Sequence, residues 1–286
     1  MRTFLLTSVA LVAFAMNSVL CRLALGHSAI DAASFSTIRL ASGAVMLLLI
    51  TAASKRKLSF ASGSNWISAA LLFFYAVAFS LAYINLSAGT GALILFGSVQ
   101  ATMLTVALLR GERPHLFEWV GLFIALAGLV YLVSPGLAAP PLASSLLMTA
   151  AGISWGFYSL RGRGTRNPLA DTTNNFIRAL PLAVLVSIVM FSQFHLSSIG
   201  TLFAILSGAL TSGVGYVIWY AALKGLTATR AAMVQLAVPV LAAAGGVIIL
   251  SERISLRLLL SAVMVLGGVG LALMSRKYWV RAKAAK

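Results

Sequence analysis

Ten apolar runs, each close to the length of a bilayer's hydrocarbon core, follow one another along 286 residues with little between them. They cover approximately 4–24, 32–54, 66–85, 88–109, 117–134, 144–161, 171–192, 199–222, 229–250 and 257–275. A helix needs about 20 apolar residues to cross that core. Ten crossings therefore use about 200 residues and leave no room for a second, soluble domain. The expectation is an all-α membrane protein, one integral membrane domain over 1–286 with ten transmembrane helices. Composition agrees: 60% of the residues are hydrophobic and 9% charged, against roughly 45–50% and about 25% in a soluble domain. The first run, Phe4 to Leu25, is long for the core of a signal peptide and reads as the first helix.

The chain holds 21 Lys and Arg against 5 Asp and Glu, a formal charge of +16. A nucleic-acid surface would gather such charge on one solvated face. Here it sits in short clusters between apolar runs, the pattern of a membrane protein. With the N-terminus in the cytoplasm, the inner side collects Arg2, Lys55, Arg56, Lys57, Arg110, Arg113, Arg161, Arg163, Arg166, Lys224, Arg230, Arg276, Lys277, Arg281, Lys283 and Lys286, 16 of the 21. The outer side receives Arg22, Arg253 and Arg257, while Arg39 and Arg178 fall inside runs. Positive charge is retained on the cytoplasmic side. The split puts both termini in the cytoplasm and makes 276–286 a basic cytoplasmic tail. The single cysteine, Cys21, excludes an intramolecular disulfide.

The two halves echo each other. Ile38-Arg39 and Ile177-Arg178 lie 139 residues apart, and Glu112-Arg113 and Glu252-Arg253 lie 140 apart. Gly128 and Gly268 each follow those glutamates by 16 residues, and Asn17 stands opposite Trp155 at an offset of 138. Each half holds five runs, an odd number, so the second enters the membrane from the opposite side. The expectation is two inverted five-helix repeats, 1–134 and 144–275, an architecture of many secondary transporters. Pro135, Pro140 and Pro141 punctuate the junction.

Pro239, then Leu250-Ser251-Glu252-Arg253-Ile254, then Leu266-Gly267-Gly268-Val269-Gly270 resemble the drug/metabolite transporter (DMT) superfamily in its ten-helix EamA-type branch. Leu109-Arg110-Gly111-Glu112-Arg113 repeats the pattern more loosely, and Val99 stands where a match to Pro239 would fall. The segments Asn17 to Arg22 and Phe35 to Ala44 are most similar to the aromatic amino-acid exporters of the YddG type. The resemblance implies export. It also implies a central cavity surrounded by helices 1–4 and 6–9, with helices 5 and 10 outside it.

Polar groups inside a bilayer are costly and often functional. Asn17 and Gln100 each offer an amide that both donates and accepts, suited to a neutral or zwitterionic solute. The competing role is an interhelical hydrogen bond. Tyr75, Phe79 and Tyr83 recur at i, i+4 and i+8 and share a helix face. Tyr216 and Trp219 cluster in the eighth run, and Trp155 and Tyr158 lie at i, i+3 in the sixth. Facing inward, these rings and amides would line a cavity fitted to a planar apolar side chain with a small polar head. The expected substrate-binding set is thus Asn17, Tyr75, Phe79, Tyr83, Gln100, Trp155, Tyr158, Tyr216 and Trp219. Arg39, Arg178, Pro181 and Pro239 are expected to gate or to shape helices. A guanidinium within a run can alternatively attract a substrate carboxylate. Gly152 and Gly156, and Gly208 and Ser212, carry the small-residue spacing of close helix contacts.

All five carboxylates, Asp31, Glu112, Glu118, Asp171 and Glu252, fall near run ends, which points away from carboxylate-coupled antiport. The sequence has no HExxH, no paired-Asp motif and no phosphate-binding GxxxxGK[ST], and its three histidines lie in connections. The reading is a secondary transporter and not an enzyme. No metal, cofactor, nucleic acid or ATP-binding subunit is expected, only a small-molecule substrate and membrane lipid. It would export small amphipathic metabolites, aromatic amino acids first, by alternating access in a uniport-like manner. The alternatives are export of small polar amino acids, purines or lipophilic cations, or a non-transporting membrane scaffold or enzyme.

Overall fold

The computed structural model describes residues 2–54, 66–109, 116–134, 136, 139–162, 167–223, 226 and 234–284. They form ten principal helices: α1 (Arg2–Gly26), α2 (Ala32–Ala53), α3 (Trp66–Tyr83), α4 (Ala88–Leu109), α5 (Leu116–Val133), α6 (Leu142–Gly162), α7 (Pro168–Val189), α8 (Ser198–Leu223), α9 (Ala237–Leu250) and α10 (Leu256–Ala284). The basic residues Lys55, Arg56, Lys57, Arg110, Arg113, Arg163, Arg166, Lys224, Arg230 and Lys286, and Glu112 and Pro135, lie outside the described residues. Several helix starts are written in the sequence. Asp31 caps α2 by accepting from Ser34 N at 2.8 Å, and Ser197 caps α8 by accepting from Gly200 N at 3.1 Å. Pro168 occupies the first turn of α7, where its missing donor costs nothing.

Ten helices stand where ten runs were read, but the expectation of ten transmembrane helices in two inverted five-helix repeats is corrected. By length and composition, five helices among the described residues are fit to cross a membrane: α1, α2, α3, α7 and α8. Ala88–Met103, Trp119–Val133, Ala237–Leu250 and Leu256–Leu271 are apolar over only 10–17 residues. At 1.5 Å per residue the 14 residues of α9 rise about 21 Å, short of a core about 30 Å thick. The sixth, α6, is 21 residues long, but Ser144, Ser145, Thr149, Ser154 and Ser159 and three glycines dilute its apolar character.

Among the described residues, α5 and α10 pack most extensively on each other and next on α4. Gly128 and Gly268 both serve that contact: a Cβ at Gly128 would meet Met264 Cβ at 2.7 Å, and one at Gly268 would meet Ala125 N at 2.7 Å. The remaining helices form the core. The first, α1, touches α3, α4, α8 and α9, and α2 touches α3, α7 and α8. Gly152 lets α6 approach α4, since a Cβ there would stand 2.6 Å from Leu95 O.

One end of this core is tied shut. The Arg22 Nε–Glu252 Oε1 ion pair spans 3.3 Å, and Arg22 Nη1 donates to Tyr83 O at 3.1 Å and Ile84 O at 2.7 Å. Glu252 Oε2 accepts from Ala88 N at 2.9 Å, an anion on the N-terminus of α4. Beside it the α1–α2 and α7–α8 connections zip together. Asp31 N donates to His195 O at 2.9 Å, Asp31 Oδ2 accepts from His195 N at 3.2 Å, and Ile30 bridges Leu196.

Candidate functional site

At the centre of the core, four helices bring rings together. Trp155 of α6 lies 4.8 Å from the Tyr75 ring of α3 and 5.1 Å from the Tyr216 ring of α8, centroid to centroid. Phe79 stands 5.4 Å from Tyr75, one turn along α3, and Phe14 of α1 lies 6.0 Å from Tyr216. Spacings of 4.5–7 Å with tilted planes are those that aromatic quadrupoles favour. These rings line a cavity of about 20 Å³ together with Asn17, Ser18, Leu95, Phe96 and Thr211. That is room for about one water and far below the roughly 300–1,000 Å³ of ligand pockets. A second cavity of about 350 Å³ lies between α2, α7 and α8, lined by Leu47, Ile50, Thr172 and Tyr220 among others. Tyr216 borders both cavities.

The polar wall is set by an unusual piece of backbone. Ser207–Val214 within α8 is π-helical. The wider i→i+5 turn often marks functional segments, and here it carries Ser207, Thr211 and Ser212 toward α1 and α2. Ser207 Oγ donates to Asn17 Oδ1 at 2.6 Å, and Thr211 Oγ1 stands 3.1 Å from the same oxygen. Hydroxyls on Oδ1 fix which way the amide points. Asn17 Nδ2 then donates to Tyr75 Oη at 3.5 Å.

Arg39 enters the same network. The residue is 2% exposed, the largest fully buried side chain among the described residues. Nη2 donates to Tyr75 Oη at 3.0 Å and Nε to Ser212 Oγ at 3.3 Å. The charge stands 5.2 Å over the Tyr75 ring and 5.0 Å over the Phe79 ring. Each such contact is worth about 2 kcal/mol when desolvated. No carboxylate among the described residues pairs with it, and Nη1 is buried without a hydrogen-bond partner. Burying a guanidinium costs several kcal/mol even after relaxation, so aromatic faces and neutral hydroxyls compensate it only in part.

Of the expected residues, Asn17, Tyr75, Phe79, Trp155 and Tyr216 gather on the central cavity. The others stand elsewhere. Tyr83 seals the tied end, stacking 4.7 Å from Phe79 and donating to Ala88 O at 3.3 Å. Tyr158 borders a cavity of about 30 Å³ near Arg161 and Asp171, where its hydroxyl accepts from Asn175 Nδ2 at 3.4 Å. Trp219 packs 5.7 Å from Phe14 behind the cavity, and Gln100 is buried on α4 away from its lining. Arg178 is half-buried, 5.8 Å over the Trp66 ring. Pro181 faces outward on α7. Pro239 lies in the first turn of α9 after a break at Leu236, so its missing donor would have no intrahelical partner anyway. The residues that sequence reasoning missed are Phe14, Ser207, Thr211 and the hydrogen-bonding role of Ser212. Their one signal was the run Ser207-Gly208-Ala209-Leu210-Thr211-Ser212-Gly213.

Residues 142–274 match the EamA-like transporter family. An uncharacterized protein of Pseudomonas aeruginosa, PA1977, is 51% identical over 96% of each chain. The chain belongs to the EamA-like transporter family. This places it in the DMT superfamily, whose resemblance the Glu252-Arg253 and glycine-rich segments carried. The uncharacterized transporter YoaV of Bacillus subtilis is 24% identical over 82% of this chain and 85% of its own. An uncharacterized transporter of Archaeoglobus fulgidus is 25% identical over 71% and 74%. A solved crystal structure shares the fold with a TM-score of 0.66 at 19% identity, covering 93% of this chain and 98% of that one. As an EamA-like member the chain is a multi-pass membrane protein that moves a small molecule across a membrane, and not an enzyme. Among the described residues no three His, Cys, Asp or Glu side chains gather as a metal site.

Proposed function

We propose that this transporter exports small amphipathic metabolites, aromatic amino acids first, across a bacterial inner membrane by alternating access. The observation that carries the reading is the ring cage of Trp155, Tyr75 and Tyr216 around the central cavity, with Asn17 on its wall. Three faces at ring-stacking distance suit a planar side chain, and the amide suits a polar head. Tyr216, shared with the larger cavity, is the ring whose movement would admit the solute. The outward direction follows the resemblance to aromatic amino-acid exporters. The distribution of 16 basic residues of 21 supports cytoplasmic termini. The five carboxylates near helix or run ends support uniport over carboxylate-coupled antiport.

The test is uptake of labelled phenylalanine, tryptophan and threonine into proteoliposomes, with and without a pH gradient. Phenylalanine and tryptophan should enter and threonine should not, at rates the gradient leaves unchanged. Trp155→Ala should cut the aromatic flux about tenfold or more. Threonine flux without phenylalanine flux would replace this reading with export of small polar amino acids.

A further inference from the structure

The polar wall of the central cavity offers amide and hydroxyl groups, and a buried positive charge stands behind that wall. Tyr75 Oη accepts from Asn17 Nδ2 and from Arg39 Nη2, at 3.5 and 3.0 Å. A phenol oxygen so occupied keeps its own O–H as a donor. Tyr75 is a wall residue of the cavity. The Arg39 charge polarises the same O–H, and such chains strengthen in a low-dielectric interior. Arg39 itself stands behind Tyr75 and Phe79 with Nη1 buried and unpartnered. The interior thus holds one full positive charge without a carboxylate among the described residues.

We propose that Tyr75 and Arg39 form a carboxylate subsite, so that the transported class is small carboxylates, zwitterionic amino acids included, and bare amines are rejected. The proposal rests on the transport reading above and names the charge its substrate must carry. Tyr75 O–H donates to one carboxylate oxygen. A ring shift of Tyr75 exposes Arg39 Nη1 to the other, the geometry in which a guanidinium binds carboxylates best. A cationic amine would instead meet a like charge that has no counter-ion, a repulsive device of the kind that sets specificity. The ring cage receives the apolar part, so the two ends of an aromatic amino acid are read separately.

Thermal stabilisation of the detergent-solubilised full chain reports binding independently of flux. The ligands are L-phenylalanine, 3-phenylpropionate, phenethylamine, L-alanine and ethylamine. Both aromatic carboxylates should raise the melting temperature and phenethylamine should not. Tyr75→Phe keeps the ring and deletes the O–H, and should weaken phenylalanine binding about tenfold. Arg39→Met should abolish the preference for phenylalanine over phenethylamine, and Arg39→Lys should retain part of it. If Arg39→Met fails to fold, Tyr75→Phe and Arg39→Lys carry the test. Stabilisation by phenethylamine equal to that by phenylalanine overturns the proposal. So does an unchanged preference in Tyr75→Phe and the Arg39 variants, or no stabilisation by any carboxylate. If L-alanine binds and phenylalanine does not, the aromatic reading fails alone. The comparison of L-alanine with ethylamine in the same variants then decides the carboxylate subsite.

Discussion

Arg22 and Arg39 lie on adjacent helices, and their surroundings are opposite. Arg22 holds Glu252 at 3.3 Å and two backbone carbonyls, at a helix end where its side chain is 24% exposed. Arg39 is fully buried against Tyr75 and Phe79 with one nitrogen unpartnered. The first arginine is a fastener: everything it needs is present, and it joins α1 to the α3–α4 connection and the end of α9. The second has no counter-charge among the described residues, and the fold tolerates that cost. Proteins keep such local deficits where a ligand will meet them. Under the proposed carboxylate subsite, the difference separates the residue that stabilises the bundle from the one that reads the substrate.

The largest effect on stability is expected for Arg22→Ala. It leaves Glu252 without its counter-charge, with Ala88 N still donating to Oε2, and removes donors from Tyr83 O and Ile84 O. Denaturant unfolding of the solubilised chain should show a loss of about 3 kcal/mol. The preference for phenylalanine over phenethylamine should survive. Arg39→Met should do the reverse. No carboxylate is left unpaired, and a desolvated charge is removed, so stability should change by less than about 1 kcal/mol while the preference disappears. Equal stability losses in the two variants would erase the distinction.

A smaller effect is expected at Asn17, which fixes the Tyr75 hydroxyl without carrying charge. Asn17→Leu removes the acceptor of Ser207 and the donor to Tyr75. Thr211 keeps an alternative in Ser207 O at 2.8 Å. A loss of about 1 kcal/mol in stability should accompany roughly tenfold weaker phenylalanine binding, read from the ligand dependence of the melting temperature. Weakening without any change in stability would mean that Asn17 touches the solute directly.

Much of this was legible in the sequence, and the failures have physical causes. Apolar periodicity located the helices closely: 32–54 became Ala32–Ala53 and 66–85 became Trp66–Tyr83. It overstated how many are fit to cross, because an apolar run does not report how much of it is apolar enough, as α6 shows. Tyr75, Phe79 and Tyr83 stack in one row along α3, but only the first two border the central cavity, because eight residues turn a helix about 80° past full rotations and advance it about 12 Å. That carries the third ring from the cavity to the tied end. The π segment had no signature in apolar spacing, so Ser212 read as a packing position when its hydroxyl also accepts from Arg39. The burial of Arg39 was equally unreadable. Ile38-Arg39 and Ile177-Arg178 look alike in one dimension, and only the neighbouring helices decide which guanidinium meets aromatic faces in the core.

That last pair yields the smallest predicted effect. Arg178 is half-buried over Trp66 at 5.8 Å, a contact worth about 0.5–1 kcal/mol at exposed sites. It lines none of the three cavities described above. Trp66→Leu, which removes the ring from beneath the charge, should therefore lower stability by less than about 1 kcal/mol, and Arg178→Gln should leave ligand preference untouched. If Arg178→Gln instead altered the preference as Arg39→Met is expected to, the 139-residue offset would carry chemistry as well as pattern. Substrate recognition would then draw on α7 and could not be assigned to the α2–α3 pair alone.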